Sequence, residues 1–189
     1  MNKNALTLVG TLAAALTLVA CGSSSPSARM SRTPTPTPTA PSWAVSYTAA
    51  ELDDYNAALA ALVAIEQREE PIWSGGKLTA VARAAFASDW FVPALPMRRL
   101  TSWQQNGARE EGLPRVLSSR LTSLTRDNGS SGIETLTIRQ CVDSSGVVAT
   151  QNGKVVPPSK GTRGVRSVEM DKLPNGEWRI FQIESAGKC

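Results

Sequence analysis

The chain reads as an α+β domain carried on a non-globular N-terminal arm. Three observations predict it. Apolar residues recur at helical spacing from Thr48 to about Asn106. After residue 110 the period changes to two, in runs bounded by Gly, Asn, Asp and Pro. Before residue 47 there is an uncharged apolar run and then a Ser/Thr/Pro segment, neither of which can close a core. Helices followed by antiparallel strands place the helices on one face of a sheet.

The first helix opens at Thr48-Ala49-Ala50-Glu51, a capping-box pattern. Leu52, Tyr55, Leu59, Leu62, Val63 and Glu66 follow at helical intervals among five alanines of high helix propensity. Pro71 is expected to stop it by Glu70. A second helix is expected over 77–91, with Leu78, Val81, Ala85, Phe86 and Trp90. Pro93 and Pro96 divide it from a third, over 96–106, with Met97, Leu100 and Trp103, ending before Gly107. The strands follow in order. The run 116–124 is imperfectly patterned and ends at a turn containing Asp127-Asn128-Gly129 and Gly132. The strand 133–143 alternates clearly, with Leu136, Ile138 and Val142 on one face and Thr135, Thr137, Arg139 and Cys141 on the other. Segments 147–150 and 154–156 flank Asn152-Gly153, a primed hairpin signal. Strands over 163–173 and 177–185 are joined through Pro174-Asn175-Gly176.

Composition narrows function. The 189 residues include 20 Lys+Arg, 16 Asp+Glu, three Cys, five Trp and no His. No His-based triad, His-ligated metal or His shuttle exists here, and three Cys cannot form a four-thiolate site. Lys3, Arg29 and Arg32 precede residue 43, leaving 17 Lys+Arg against the same 16 acids. A domain so close to neutral has no footprint for nucleic acid. No metal, no cofactor and no catalytic residue is expected.

Lys3 followed by the apolar run Ala5–Ala20 has the form of an export signal. As a helix its sixteen residues span about 24 Å, short of a bilayer core. The run closes on Leu18-Val19-Ala20-Cys21. This resembles the lipobox of bacterial lipoproteins, which implies cleavage before Cys21, diacylglyceryl attachment to its thiol and a cell-membrane location on the extracytoplasmic face. Palmitate-type acyl chains are then the anchor, and more than one chain gives lasting attachment. Residues 21–46 are expected to be the lipidated Cys and a tether. Its Thr-Pro repeat favours an extended chain of about 3.1 Å per residue. Residues 47–189 are expected to form the domain.

The domain resembles the NTF2-like superfamily, the cystatin-like α+β cone, and within it secreted or lipidated proteins of Gram-positive type. The residues that carry the resemblance are Cys141-Val142-Asp143-Ser144 with the hairpin at Gly153, Asn175-Gly176-Glu177-Trp178-Arg179-Ile180, and the terminal Cys189. It implies N-terminal helices packed on a curved antiparallel sheet around a cone-shaped pocket. It implies no chemistry, because the fold hosts isomerases, cyclases, dehydratases and binding proteins alike. With Cys21 lipidated, Cys141 and Cys189 remain as an even pair in an exported protein. Either they form a bridge, with about 4 kcal/mol as the chain-entropy upper bound, or they are two free thiols.

Candidate sites each face a plain alternative. Tyr55, Trp73, Trp90, Trp103 and Trp178 either line an apolar ligand pocket or fill the core. Ser74-x-x-Lys77 and Ser185-x-x-Lys188 match a nucleophile pattern without its companion motifs. Gly161-Thr162-Arg163-Gly164 reads as a loop. Asp89, Glu169, Asp171 and Glu184 could enter a cone as an acid or base, or be ordinary salt-bridged carboxylates. Asp143 reads as a turn cap. The Glu66–Glu70 and Glu110-Glu111 pairs read as solvated faces. Arg98-Arg99 is too small a cluster to argue lipid contact. The expected role is non-catalytic, holding a small apolar ligand or assisting an envelope protein. The alternatives are a His-free enzyme of isomerase or cyclase type, and a homodimerising module.

Overall fold

A computed structural model describes residues 41–126, 133–157 and 162–189. The export signal, Cys21, most of the tether, the Asp127–Gly132 turn and Gly161 lie outside the described residues. The fold is α+β, as the change of period predicts.

Helix α1 runs Ala49–Gly75, α2 Ala80–Asp89 and α3 Ala94–Gln105. The predicted capping box is present: Thr48 Oγ1 accepts from Glu51 N–H, and Glu51 Oε2 accepts from Thr48 N–H at 2.7 Å. The expected stop at Pro71 is not where α1 ends. The helix carries Pro71 within it and continues for another turn. A proline removes one donor, the one facing the carbonyl four residues back. Here the final turn is retained by Ile72 and Trp73, which pack on the core, and by Gly76, whose N–H donates to the Ile72 and Trp73 carbonyls. Gly76 takes φ +61°, and a Cβ there would sit 2.7 Å from the Ala108 carbonyl oxygen, so only glycine fits. Pro93, at the N-cap of α3, separates α2 from α3.

Seven strands follow: β1 Ala108–Glu111, β2 Arg115–Arg126, β3 Glu134–Asp143, β4 Val148–Gln151, β5 Lys154–Val155, β6 Arg163–Lys172 and β7 Trp178–Ser185. The main antiparallel sheet has order β2-β3-β6-β7, and a smaller one has order β1-β4-β5. Strand β1 is absent from the sequence reading. Asn152 and Gly153 take positive φ between β4 and β5, as a primed turn requires. Register slips in β2 and β7 bend those strands.

On the covered face of β3, Leu136, Ile138, Gln140 and Val142 are buried. Their partners on β6 are Met170, Val168, Arg166 and Gly164. Against this face α1 lays Tyr55, Ala58, Leu62 and Ile65, with Phe86 of α2 and Leu100 of α3 beside them. Packing begins upstream of residue 47. Ala44 is buried, and Trp43 meets Tyr55 edge-on at 5.3 Å. Cys141 and Cys189 form a disulfide, with Cα atoms 5.8 Å apart. It fixes the C-terminal tail, which also bonds to Val165 through Ala186 N–H and Gly187 C=O. No helix among the described residues is long and apolar enough to cross a membrane.

Candidate functional site

The buried stripe of α1 advances Tyr55, Ala58, Leu62, Ile65 and then Glu69. The stripe therefore turns from apolar to acidic without leaving the interior. Glu69 is 4% exposed and borders a cavity of about 410 Å³. The cavity lies between the C-terminal half of α1, the first turns of α3, the β1–β2 connection and β7.

Two tryptophans hold Glu69. Trp73, one turn along α1, donates from Nε1 to Oε2 at 3.2 Å. Trp90 donates from Nε1 to Oε1 at 2.7 Å. Trp90 is aimed there because the chain becomes extended after α2 and pairs with β7. Phe91 N–H donates to the Ile180 carbonyl at 2.8 Å, and Trp90 bridges Ile180 in parallel. Both indoles are neutral donors. No cation lies within ion-pair distance of Glu69 among the described residues. Burial pushes its pKa up to about 7 against the lowering pull of the two indole bonds, and Asp89 and Glu66 add repulsion.

The nearby cations are engaged elsewhere. Arg166 contacts Glu66 at 2.5 Å and donates from Nε to Gln140 at 2.8 Å. Gln140 continues through Ser119 to the Tyr55 hydroxyl. Arg68 clamps Asp89 at 2.6 Å. Arg99 lies over the rings of Trp73 and Trp103, at 5.1 and 4.7 Å, and 3.7 Å from Glu110. Glu70 accepts from Gly112 N–H at 3.2 Å, tying the β1–β2 connection to α1. Gly112 has φ +86° and no space for a Cβ, which would meet the Gly146 carbonyl oxygen at 2.7 Å. Leu95, Leu113 and Ile183 line the cavity and are each more than a third exposed, marking its mouth.

Of the five aromatic residues proposed for a pocket, Trp73 and Trp90 line this cavity. Trp103 is behind Trp73, at 5.2 Å centroid to centroid. Tyr55 and Trp178 are not among its lining residues. Tyr55 is buried two α1 repeats away, toward Trp43. Trp178 opens β7 and is covered by the Lys172 ammonium. Of the acids, Glu184 lines the cavity. Asp89 is buried in its Arg68 clamp, Glu169 accepts from Gln182, and Asp171 accepts from Thr135. Asp143 accepts from Ser145 N–H, the turn-capping bond expected of it. Ser74 is at the C-terminal end of α1, with its hydroxyl donated to the Pro71 carbonyl. That is the opposite end of a helix from a serine nucleophile's place.

Glu69 is the residue that the sequence reading missed. It is in phase with Tyr55 and Leu62 at seven-residue intervals, which was the available signal. The Glu66–Glu70 pair is not a solvated face: Glu66 is paired with Arg166, and Glu70 anchors Gly112.

No protein-family model matches the chain, and no curated protein does. Among solved structures, it is similar to the crystal structure of the intermembrane space region of the chloroplast protein ARC6. Identity is 12% and the TM-score 0.34, over 66% of this chain and 92% of that one. A likeness this low carries no argument about function.

Proposed function

We propose that this chain is an extracytoplasmic, lipid-anchored protein whose NTF2-like α+β domain binds a small molecule without transforming it. Cys21 is the anchoring residue in this reading, and the Pro/Thr tether carries the domain away from the membrane. One observation carries the binding role: the cavity beside Glu69, walled by Trp73 and Trp90 and open at Leu95, Leu113 and Ile183. Its size is that of a small-molecule pocket.

Native mass spectrometry of the full-length protein, extracted in mild detergent from its own host, tests the binding role. A retained small molecule is the expected result. A clean ligand-free mass from repeated preparations contradicts it. Membrane fractionation of wild type and Cys21→Ala tests the anchor. The variant is expected in the soluble fraction or medium, and identical partitioning of both forms contradicts lipidation.

A second reading, a His-free isomerase-type enzyme, is favoured by one feature. Glu69 is a buried carboxylate with a pKa of about 7, suited to accepting and returning a proton near neutrality. It predicts that a ligand retained from the host exchanges carbon-bound hydrogen for deuterium in heavy water, and that Glu69→Gln abolishes the exchange. A ligand that gains no deuterium leaves the binding role alone.

A further inference from the structure

We propose that the cavity is built for a small organic cation with an apolar body, whose positive charge sits against Glu69 beside the Trp73 and Trp90 indoles. This rests on the ligand-binding reading above and names the ligand's chemistry.

Glu69 is buried without an ion-pair partner among the described residues. A buried carboxylate is tolerated when paired with a cation and hydrogen-bonded, and is costly otherwise. Glu69 has the hydrogen bonds without the cation. Its two indole partners orient both oxygens and contribute no charge. Arg68, the next residue on α1, acts on Glu69 only through space while its ion pair is with Asp89, and the other charged groups around Glu69 supply no partner among the described residues. Glu66 and Glu70 come from the same helix and Asp89 from α2. Arg166 of β6 is matched to Glu66, Arg68 to Asp89, and Arg99 of α3 to Glu110 of β1. Glu184 of β7 adds a further acid to the lining. With those pairs cancelled, Glu69, Glu70 and Glu184 leave the cavity wall negative among the described residues.

An anionic ligand would meet that excess directly. A wholly apolar one would remove the remaining water from Glu69 and return nothing. A cation supplies the absent partner. The exposure gradient sets the remaining chemistry. Glu69 is almost fully buried, while Leu95, Leu113 and Ile183 are partly exposed at the mouth. The charge therefore goes inward and the hydrocarbon outward, which describes an alkylated or arylated ammonium ion better than a polyamine.

The test uses the full-length protein in detergent, with isotope-labelled tryptophan indoles observed by NMR. Benzyltrimethylammonium is titrated against its uncharged carbon isostere, neopentylbenzene. The cation is expected to move the Trp73 and Trp90 N–H signals and to bind at least about tenfold more tightly than the isostere. Its affinity is expected to rise as pH passes upward through about 7, because Glu69 becomes charged. Glu69→Gln is expected to erase the preference. Glu184→Gln, an exposed change that leaves the core intact, is expected to weaken the cation by about two- to threefold. Equal binding of the two probes, or tighter binding of the isostere, overturns the cation assignment and leaves the pocket reading standing. If neither probe moves those two indole signals, the assignment is overturned. If the host-extracted protein is also ligand-free, the pocket reading falls with it.

Discussion

The two ends of α1 treat a carboxylate in opposite ways. Near the N-terminus, Asp54 is held by the Lys172 ammonium at 2.6 Å and by Arg126 at 3.1 Å. Burial pulls its pKa upward, but hydrogen bonds from Lys172 and Arg126 outweigh that and keep it below the usual value. Near the C-terminus, Glu69 is more deeply buried, has two neutral donors and no cation within ion-pair distance among the described residues, and is pushed up to about 7. The same helix lies on the same sheet in both places. The difference is that one acid is ion-paired among the described residues and the other is not. Matched acids belong to the scaffold. An unmatched buried acid on a cavity wall costs stability.

Between those ends lies the apolar core, and it sets the largest expected effect. Leu62 is fully buried. Leu62→Ala should cost about 3–4 kcal/mol of unfolding free energy in denaturant melts. A loss below about 1 kcal/mol would mean that the helix is not seated as described.

Next comes the sign reversal at Glu69. Between its ordinary value of 4.5 and the folded value of about 7, the folded domain keeps a proton that the unfolded chain has released. Stability from this group is therefore greatest below pH 4.5, falls as pH rises through that window, and is flat above it. Glu69→Gln should raise stability by about 2 kcal/mol at pH 8. At pH 4.5 it should lower stability by about 1 kcal/mol, because the carboxyl is already neutral and one indole then faces an amide NH₂. Thermal melts at the two pH values check both signs.

The smallest effect is expected at the matched end. Lys172→Met should cost about 1 kcal/mol or less at pH 7, because the pair is partly exposed. The cost should fade as acid protonates Asp54, the opposite trend from Glu69. If both ends shifted with pH in the same direction, the contrast between them would be wrong.

These contrasts also show which parts of the molecule were legible in advance. Thr48 with Glu51, Asn152-Gly153, the alternation of β3 and the pairing of Cys141 with Cys189 are local or arithmetical signals, and they gave the fold. Pro71 misled because its helix-breaking effect is local, while the contacts of Ile72 and Trp73 that carry α1 past it are not. Strand β1, Ala-Arg-Glu-Glu, has no apolar alternation. It exists because β4 pairs with it, from Ala108↔Gln151 to Glu111↔Val148. The site was half legible. Trp73 and Trp90 are among the sequence candidates, and Glu69 is not. Its burial depends on Trp90, 21 residues further on, and on where β7 places that ring.

The most direct test of the account is the titration of Glu69 itself. Carboxyl-carbon NMR of glutamate-labelled protein, with Glu69→Gln to assign the signal, should give a midpoint near 7 without ligand. Saturating benzyltrimethylammonium should move it toward the ordinary carboxylate range. A midpoint near 4.5 in both conditions would mean that Glu69 is already satisfied, and that its cavity has no counter-charge to seek.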